Sequence, residues 1–207
     1  MDTRKTRTWA EVSLGALRHN VEEMQRALPD GCGLLGVVKA DAYGHGASEI
    51  AAALRECGCR YLAVACPQEA LALRQAGETM PILILGAVDA AFASDMAAND
   101  ITLSVECAEK GRALSAALRG GERLRIHLKL DTGMGRLGFR VQDETALREA
   151  AAVAQLPNLD AEGVFTHFSV SDTPGEEEYT AAQLALFLSA VEKLEAMTPD
   201  ERFAFWR

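Results

Sequence analysis

Short aliphatic and β-branched runs alternate along this chain with longer Ala-, Leu-, Glu- and Arg-rich stretches whose apolar residues recur every three to four positions. After an N-terminal piece, WAEVSL, the pattern predicts a helix over 13–28 and a buried strand, GLLGVVKA, over 33–40. It continues with a helix over 46–57, a strand over 61–65 (YLAVA), a helix over 67–76, a strand over 82–85 (ILIL) and a short helix over 90–98. The later elements are a strand over 101–105 (ITLSV), a helix over 106–118, a strand over 124–131 (LRIHLKLD), a helix over 143–154, a strand over 160–168 (DAEGVFTHF) and a long helix over 176–196. Strand–helix units repeated in this way require parallel pairing, in a barrel or in a doubly wound sheet. Six strands are predicted. The terminal FAFWR, 203–207, reads either as a seventh strand or as helix, because Thr198, Pro199 and Glu201 have the chemistry of a helix start.

Composition bounds this picture. The 207 residues are 49% hydrophobic and 25% charged, enough for one large domain or two small ones with a sizeable core. No apolar run approaches the roughly 20 residues that cross a bilayer, and the opening MDTRKTRTWAEVS lacks the apolar stretch of a signal peptide. A cytoplasmic location is expected. Cys32, Cys57, Cys59, Cys66 and Cys107 show no CxxC pairing and read as small buried hydrophobes; neither a disulfide framework nor a metal site is indicated. The net charge of −9 lies wholly in residues 141–207, which hold four basic and thirteen acidic side chains. No basic footprint is present, which argues against nucleic acid as a partner. Glu176, Glu177 and Glu178 follow a Pro174–Gly175 turn and read as first-turn helix carboxylates that suit the macrodipole.

Three stretches carry candidate chemistry. In GLLGVVKADAYGHG, Lys39 stands at the carboxyl end of a strand, followed by a loop with Tyr43, Gly44, His45 and Gly46. Ligands of parallel α/β folds bind at such strand ends, and a partly desolvated lysine is a nucleophile toward carbonyls. The competing reading is a lysine that snorkels to solvent. In RIHLKLDTGMGRLGF, Leu124, Ile126, Leu128 and Leu130 share one face of a strand, and Arg125, His127, Lys129 and Asp131 share the other. At an edge the polar side is simply solvated; in a barrel it points inward. Arg136, among glycines in the next loop, suits a carboxylate or a charged cofactor edge. Gly133-x-Gly135-x-x-Gly138 also fits a dinucleotide fingerprint, but it comes late in the chain and no helix starts at the glycines. In the third stretch, His167 is expected at a strand end with the parity of Phe165, either as a hydrogen-bonded core residue or as a site residue. His19 and His45 have weaker cases.

The words TWAEVSLGALRHNV, VVKADAYGHG, HLKLDTGMGRLGF and FTHFS, in this order, resemble the N-terminal part of alanine racemase, a fold-type III pyridoxal-phosphate enzyme. The resemblance covers nearly the whole chain. It implies a (β/α)₈ barrel that carries pyridoxal 5'-phosphate at its C-terminal mouth and races alanine between its L and D forms, in a cytoplasmic homodimer that supplies D-alanine for peptidoglycan precursors. Lys39 would hold the cofactor as an imine and serve as the base for one face of Cα. Tyr43 would touch the cofactor phosphate, and Arg136 would lie near the phenolic oxygen and the substrate carboxylate. Lys129 matches a position that is carbamylated in many members, where the added negative charge orients that arginine. His167 would support the pyridine side through hydrogen bonding.

The family's second base is a tyrosine from the β domain of the partner subunit, and neither that domain nor the later barrel segments match anything in this sequence. A complete barrel takes about 250 residues. Residues 1–207 are therefore expected to be an incomplete barrel of six to seven βα units, inactive alone. A serine/alanine racemase domain and a non-catalytic pyridoxal-phosphate-binding barrel are the alternatives; the dehydrogenase reading rests only on glycine spacing.

Overall fold

The computed structural model describes residues 8–198, so FAFWR lies outside the described residues. Along the chain there are two compact units, Met1–Ile82 and Leu83–Arg207.

In the first unit, helix α1 (Leu14–Ala27) starts at Ser13, whose Oγ accepts the Ala16 amide at 3.2 Å and satisfies one of the open donors of the first turn. Strand β1 (Leu35–Val37) leads into a single turn, α2 (Lys39–Gly44), and then into α3 (Ala47–Glu56), β2 (Tyr61–Val64) and α4 (Pro67–Gln75). Pro67 opens α4, where its missing N–H costs nothing. β1 and β2 are parallel, with Leu35 opposite Tyr61 and Val37 opposite Ala63. Leu54, Leu62, Val64 and Leu73 are buried between the strands and their helices. The strand predicted over 33–40 stops at Val37, because the backbone turns into the left-handed region at Ala40.

The second unit follows from β3 (Ile82–Ile84), at the sequence boundary, through a short 3₁₀ turn at 90–92 to α5 (Ala93–Ala98), β4 (Ile101–Val105) and α6 (Ala108–Ala117). It continues with β5 (Leu124–Asp131), β6 (Phe139–Arg140), α7 (Glu144–Ala154), β7 (Leu159–Phe165) and α8 (Glu177–Met197). β5 pairs in parallel with β4, with β7 and, at its carboxyl end, with β6. This is the α/β strand–helix architecture of a (β/α)₈-type barrel carried part-way, with seven strands among the described residues. β6, two residues long, carries no period that the sequence could reveal. Asp143 caps α7, as expected, by accepting the Thr145 amide at 2.8 Å.

β5 is the core strand of this unit. Leu124, Ile126, Leu128 and Leu130 are fully buried on one side, and His127, Lys129 and Asp131 are only 5–7% exposed on the other. The polar side therefore points into the protein, which rules out a solvated edge. The β5–β7 register shifts between Ile126 and His127, and a Cβ on Gly163 would stand 2.7 Å from the His127 ring. Glycine at 163 makes the space in which that imidazole lies. The cysteines depart from expectation: only Cys59 is buried, while Cys32 and Cys107 are exposed. No helix among the described residues is long and apolar enough to cross a membrane.

Candidate functional site

In the first unit the site is built on an unusual backbone. Ala40, Asp41, Ala42 and Tyr43 all have φ of 51–55° and ψ of 36–50°, one turn of left-handed helix made without glycine. Each non-glycine residue held there costs about 1–2 kcal/mol, and aspartate tolerates it best. Strain of this kind persists only where surrounding contacts over-determine it, and it collects at functional sites. The Ala42 amide donates to the Val38 carbonyl at 2.9 Å, and the Gly46 amide donates to the Asp41 carbonyl at 3.0 Å. The Asp41 carboxylate accepts the Ala47 amide at 2.7 Å, which joins the turn to the start of α3. His45 places Nδ1 2.8 Å from the Ala42 carbonyl oxygen, so its ring serves the turn itself. At the entry, Glu69 of α4 accepts the Ala40 amide at 2.7 Å through one oxygen and the Ala65 amide at 2.7 Å through the other. The turn presents Lys39, half-buried, with its Nζ 5.9 Å from the centroid of the exposed Tyr43 ring.

In the second unit, Lys129 is buried, with its Nζ donating to the Leu130 carbonyl at 3.0 Å and lying 5.2 Å from the centroid of the Phe165 ring. Burial pushes its ammonium down to about 8; the carboxylate of Asp131 opposes that shift, and the nearby charge of Arg136 adds to it. A lysine in this state gives up its proton more readily than an exposed one. Arg136 itself is exposed on the loop after β5. That loop is shaped by Asp131, whose carboxylate accepts the Gly133 amide at 3.0 Å and the Gly135 amide at 3.0 Å. The amides that a dinucleotide phosphate would need are thus taken by an internal carboxylate, and α7 begins only at Glu144, which removes the basis of the glycine-spacing reading.

His167 does not extend a strand. β7 ends at Phe165, and His167 is exposed two residues beyond it, with its carbonyl accepting a hydrogen bond from Gln183 Nε2 at 3.3 Å. Gln183, on α8 and 1% exposed, is a residue that sequence reasoning missed. Its Nε2 also donates to Thr132 Oγ1 at 3.2 Å, and its Oε1 accepts the Ser169 amide at 3.0 Å and the Ser169 hydroxyl at 3.1 Å. One buried amide thereby joins the loops that follow β5 and β7. Tyr179, one helical turn earlier, donates its hydroxyl hydrogen to the Gly133 carbonyl at 2.9 Å. A polar glutamine on an otherwise apolar helical face is a faint signal, and Glu69 gives none beyond suiting a helix first turn.

Both units thus place reactive or charged side chains just past the carboxyl ends of parallel strands, the ligand-binding end of barrel-type α/β proteins. The family model described as "Alanine racemase, N-terminal domain" matches residues 12–204. The chain belongs to that family. An alanine racemase of Geobacillus stearothermophilus is 42% identical over 192 residues, which are 93% of this chain and 49% of that protein. A solved alanine racemase of Clostridium difficile 630, in complex with cycloserine, matches with a TM-score of 0.90 at 36% identity, over 96% of this chain and 54% of the other. A histidine racemase from Leuconostoc mesenteroides subsp. sake matches with a TM-score of 0.75 at 31% identity, over 85% and 47% of the two chains. The chain spans about half the length of the curated relatives it matches.

Proposed function

We propose that this chain is the pyridoxal-phosphate-binding barrel portion of an amino-acid racemase that acts on alanine and works as a cytoplasmic homodimer when joined to its second domain. The observation that carries the reading is the strained, glycine-free turn that presents Lys39 beside Tyr43 at the end of β1. Each unit by itself holds groups that suit the cofactor or its substrate: a half-buried primary amine with a phenol beside it in the first, and a buried lysine and an exposed arginine in the second. Bound pyridoxal phosphate supplies the electron sink that makes the Cα proton of an amino acid removable.

The chain's own residues supply the rest. Lys39 Nζ would hold the cofactor covalently and would remove or return the proton on one face of Cα. Tyr43 would hold its phosphate. Arg136 holds the substrate carboxylate through its planar fork of donors. Lys129, whose unprotonated form burial favours, would add carbon dioxide through that free amine and release a proton to solvent, and the carbamate's negative charge would orient Arg136. His167 steadies the pyridine side. The proton on the opposite face is handled by the tyrosine that the family resemblance assigns to the partner's β domain, so this chain alone racemises alanine negligibly.

Borohydride reduction of the cofactor-loaded protein followed by peptide mapping tests the reading. The label is expected on Lys39, and a label on another lysine overturns the assignment. The histidine racemase match favours testing side-chain preference directly. Turnover of alanine, serine and histidine by the chain joined to its second domain distinguishes the three substrates, and no turnover of any of them supports a non-catalytic carrier.

A further inference from the structure

We propose that Glu69 is a positioning residue for Lys39: its carboxylate ties the peptide that follows the lysine to the end of the neighbouring strand and holds the left-handed turn in place. The inference rests on the reading of Lys39 as the cofactor lysine.

The Ala40 N–H belongs to the peptide bond that leaves Lys39. Fixing that N–H fixes the backbone at Lys39 and hence the direction in which its side chain sets out. Glu69 accepts this N–H at 2.7 Å through Oε1, and through Oε2 it accepts the N–H of Ala65, just past β2, also at 2.7 Å. Two donors from different elements converge on one group, and a carboxylate, with two oxygens and no hydrogens, gives each donor its own acceptor.

The bland reading is a first-turn glutamate that serves its own helix. Such a residue would reach back to the N–H of the helix's capping residue, here Cys66. Glu69 instead passes over Cys66 and bridges to Ala65 and Ala40. The bridge meets the turn where it needs holding. Ala40 is the first of the four left-handed residues, and an alanine there returns to ordinary backbone angles unless its amide is anchored. Asp41 anchors the far end through Ala47, away from the lysine.

The test compares the protein with its Glu69→Gln, Glu69→Ala and Glu69→Gln/Ala40→Gly variants. Amide hydrogen exchange is read without cofactor, and borohydride-fixed label at Lys39 is read at subsaturating pyridoxal phosphate. Glu69→Gln keeps the side-chain volume but turns an NH₂ toward one of the two donors. It is expected to lower protection at Ala40 and Ala65 by about tenfold, the loss that follows removal of one hydrogen bond of this strength, while core amides such as those of Leu62 and Val64 stay protected. Labelling of Lys39 is expected to fall by a similar factor, more in Glu69→Ala, and to recover in part in the double variant, because glycine adopts left-handed angles without strain.

Unchanged exchange at Ala40, unchanged labelling, no recovery with Ala40→Gly, or protection lost evenly through the core each overturns the proposal. A wild-type label on a different lysine instead overturns the reading of Lys39, and the exchange data then still report whether Glu69 holds the turn.

Discussion

Lys129 touches the Leu130 carbonyl and the Phe165 ring, but its burial opposes its charge. In the unfolded chain its amine holds a proton up to the ordinary lysine range near 10.5, but in the fold only up to about 8. Between those values the unfolded state binds more protons, so stability rises with pH across the window. Below about 8 the folded protein carries the full cost of a buried ammonium, about 3 kcal/mol at most. Lys129→Met, in buffer freed of carbon dioxide, is therefore expected to raise the urea midpoint at pH 7 and to flatten the rise from pH 8 to 10.5. Midpoints that follow the same pH course in both proteins would show that burial of this amine costs nothing. The polar face that carries Lys129 was legible in the alternation of LRIHLKLD, because a period of two needs no tertiary information, while its inward direction was decided by the fold. The depressed protonation of Lys129 was not legible, since it comes from burial in the fold and from a loop arginine seven residues away.

At the scale of elements, the loops after β5 and β7 depend on α8, and that dependence gives two predictions. Gln183→Leu keeps the bulk but leaves the Ser169 amide and the Thr132 hydroxyl without their partner on α8. A loss of about 2 kcal/mol is expected, read as a lower denaturant midpoint at unchanged slope, together with faster exchange in both loops. Gly138→Ala acts on the backbone instead. At φ +123° its Cβ would stand 2.9 Å from both the Asp131 nitrogen and the Lys129 oxygen, atoms of β5 that cannot give way. Loss of the β5–β6 pairing and a destabilisation of roughly 2–4 kcal/mol are expected, checked by chemical denaturation. The glycines of this loop read from sequence as a nucleotide fingerprint. Their real uses, an amide nest around Asp131 and close approach of β6 to β5, depend on neighbours that spacing does not reveal.

At the scale of the whole molecule, the proposed division of labour predicts partial competence. Pyridoxal phosphate added to the purified chain is expected to develop the visible absorbance of a lysine adduct, with alanine racemisation at background. Turnover comparable to that of a two-domain relative would remove the need for a second base from elsewhere. Absence of the adduct would mean that Lys39 needs the rest of the protein to be presented.

Sequence by itself determined the longer elements and the two faces of the β5 strand, because hydrophobic period and helix caps are local properties. The bounds of β4 and β5 agree with the pattern to the residue, and those of the longer helices agree to within a few residues. Sequence also marked Lys39, Tyr43 and Arg136 by their places after strands, and Lys129 by its place on the polar face of one. Only the tertiary structure decided how they are presented. It ended β1 three residues before the predicted stop by forcing Ala40–Tyr43 into left-handed angles, moved His167 off its strand, and recruited Glu69 and Gln183 from distant helices. The bridge from Glu69 to Ala40 and the reach of Gln183 to Ser169 and Thr132 leave no local pattern, because they join residues 29, 14 and 51 positions apart in the chain.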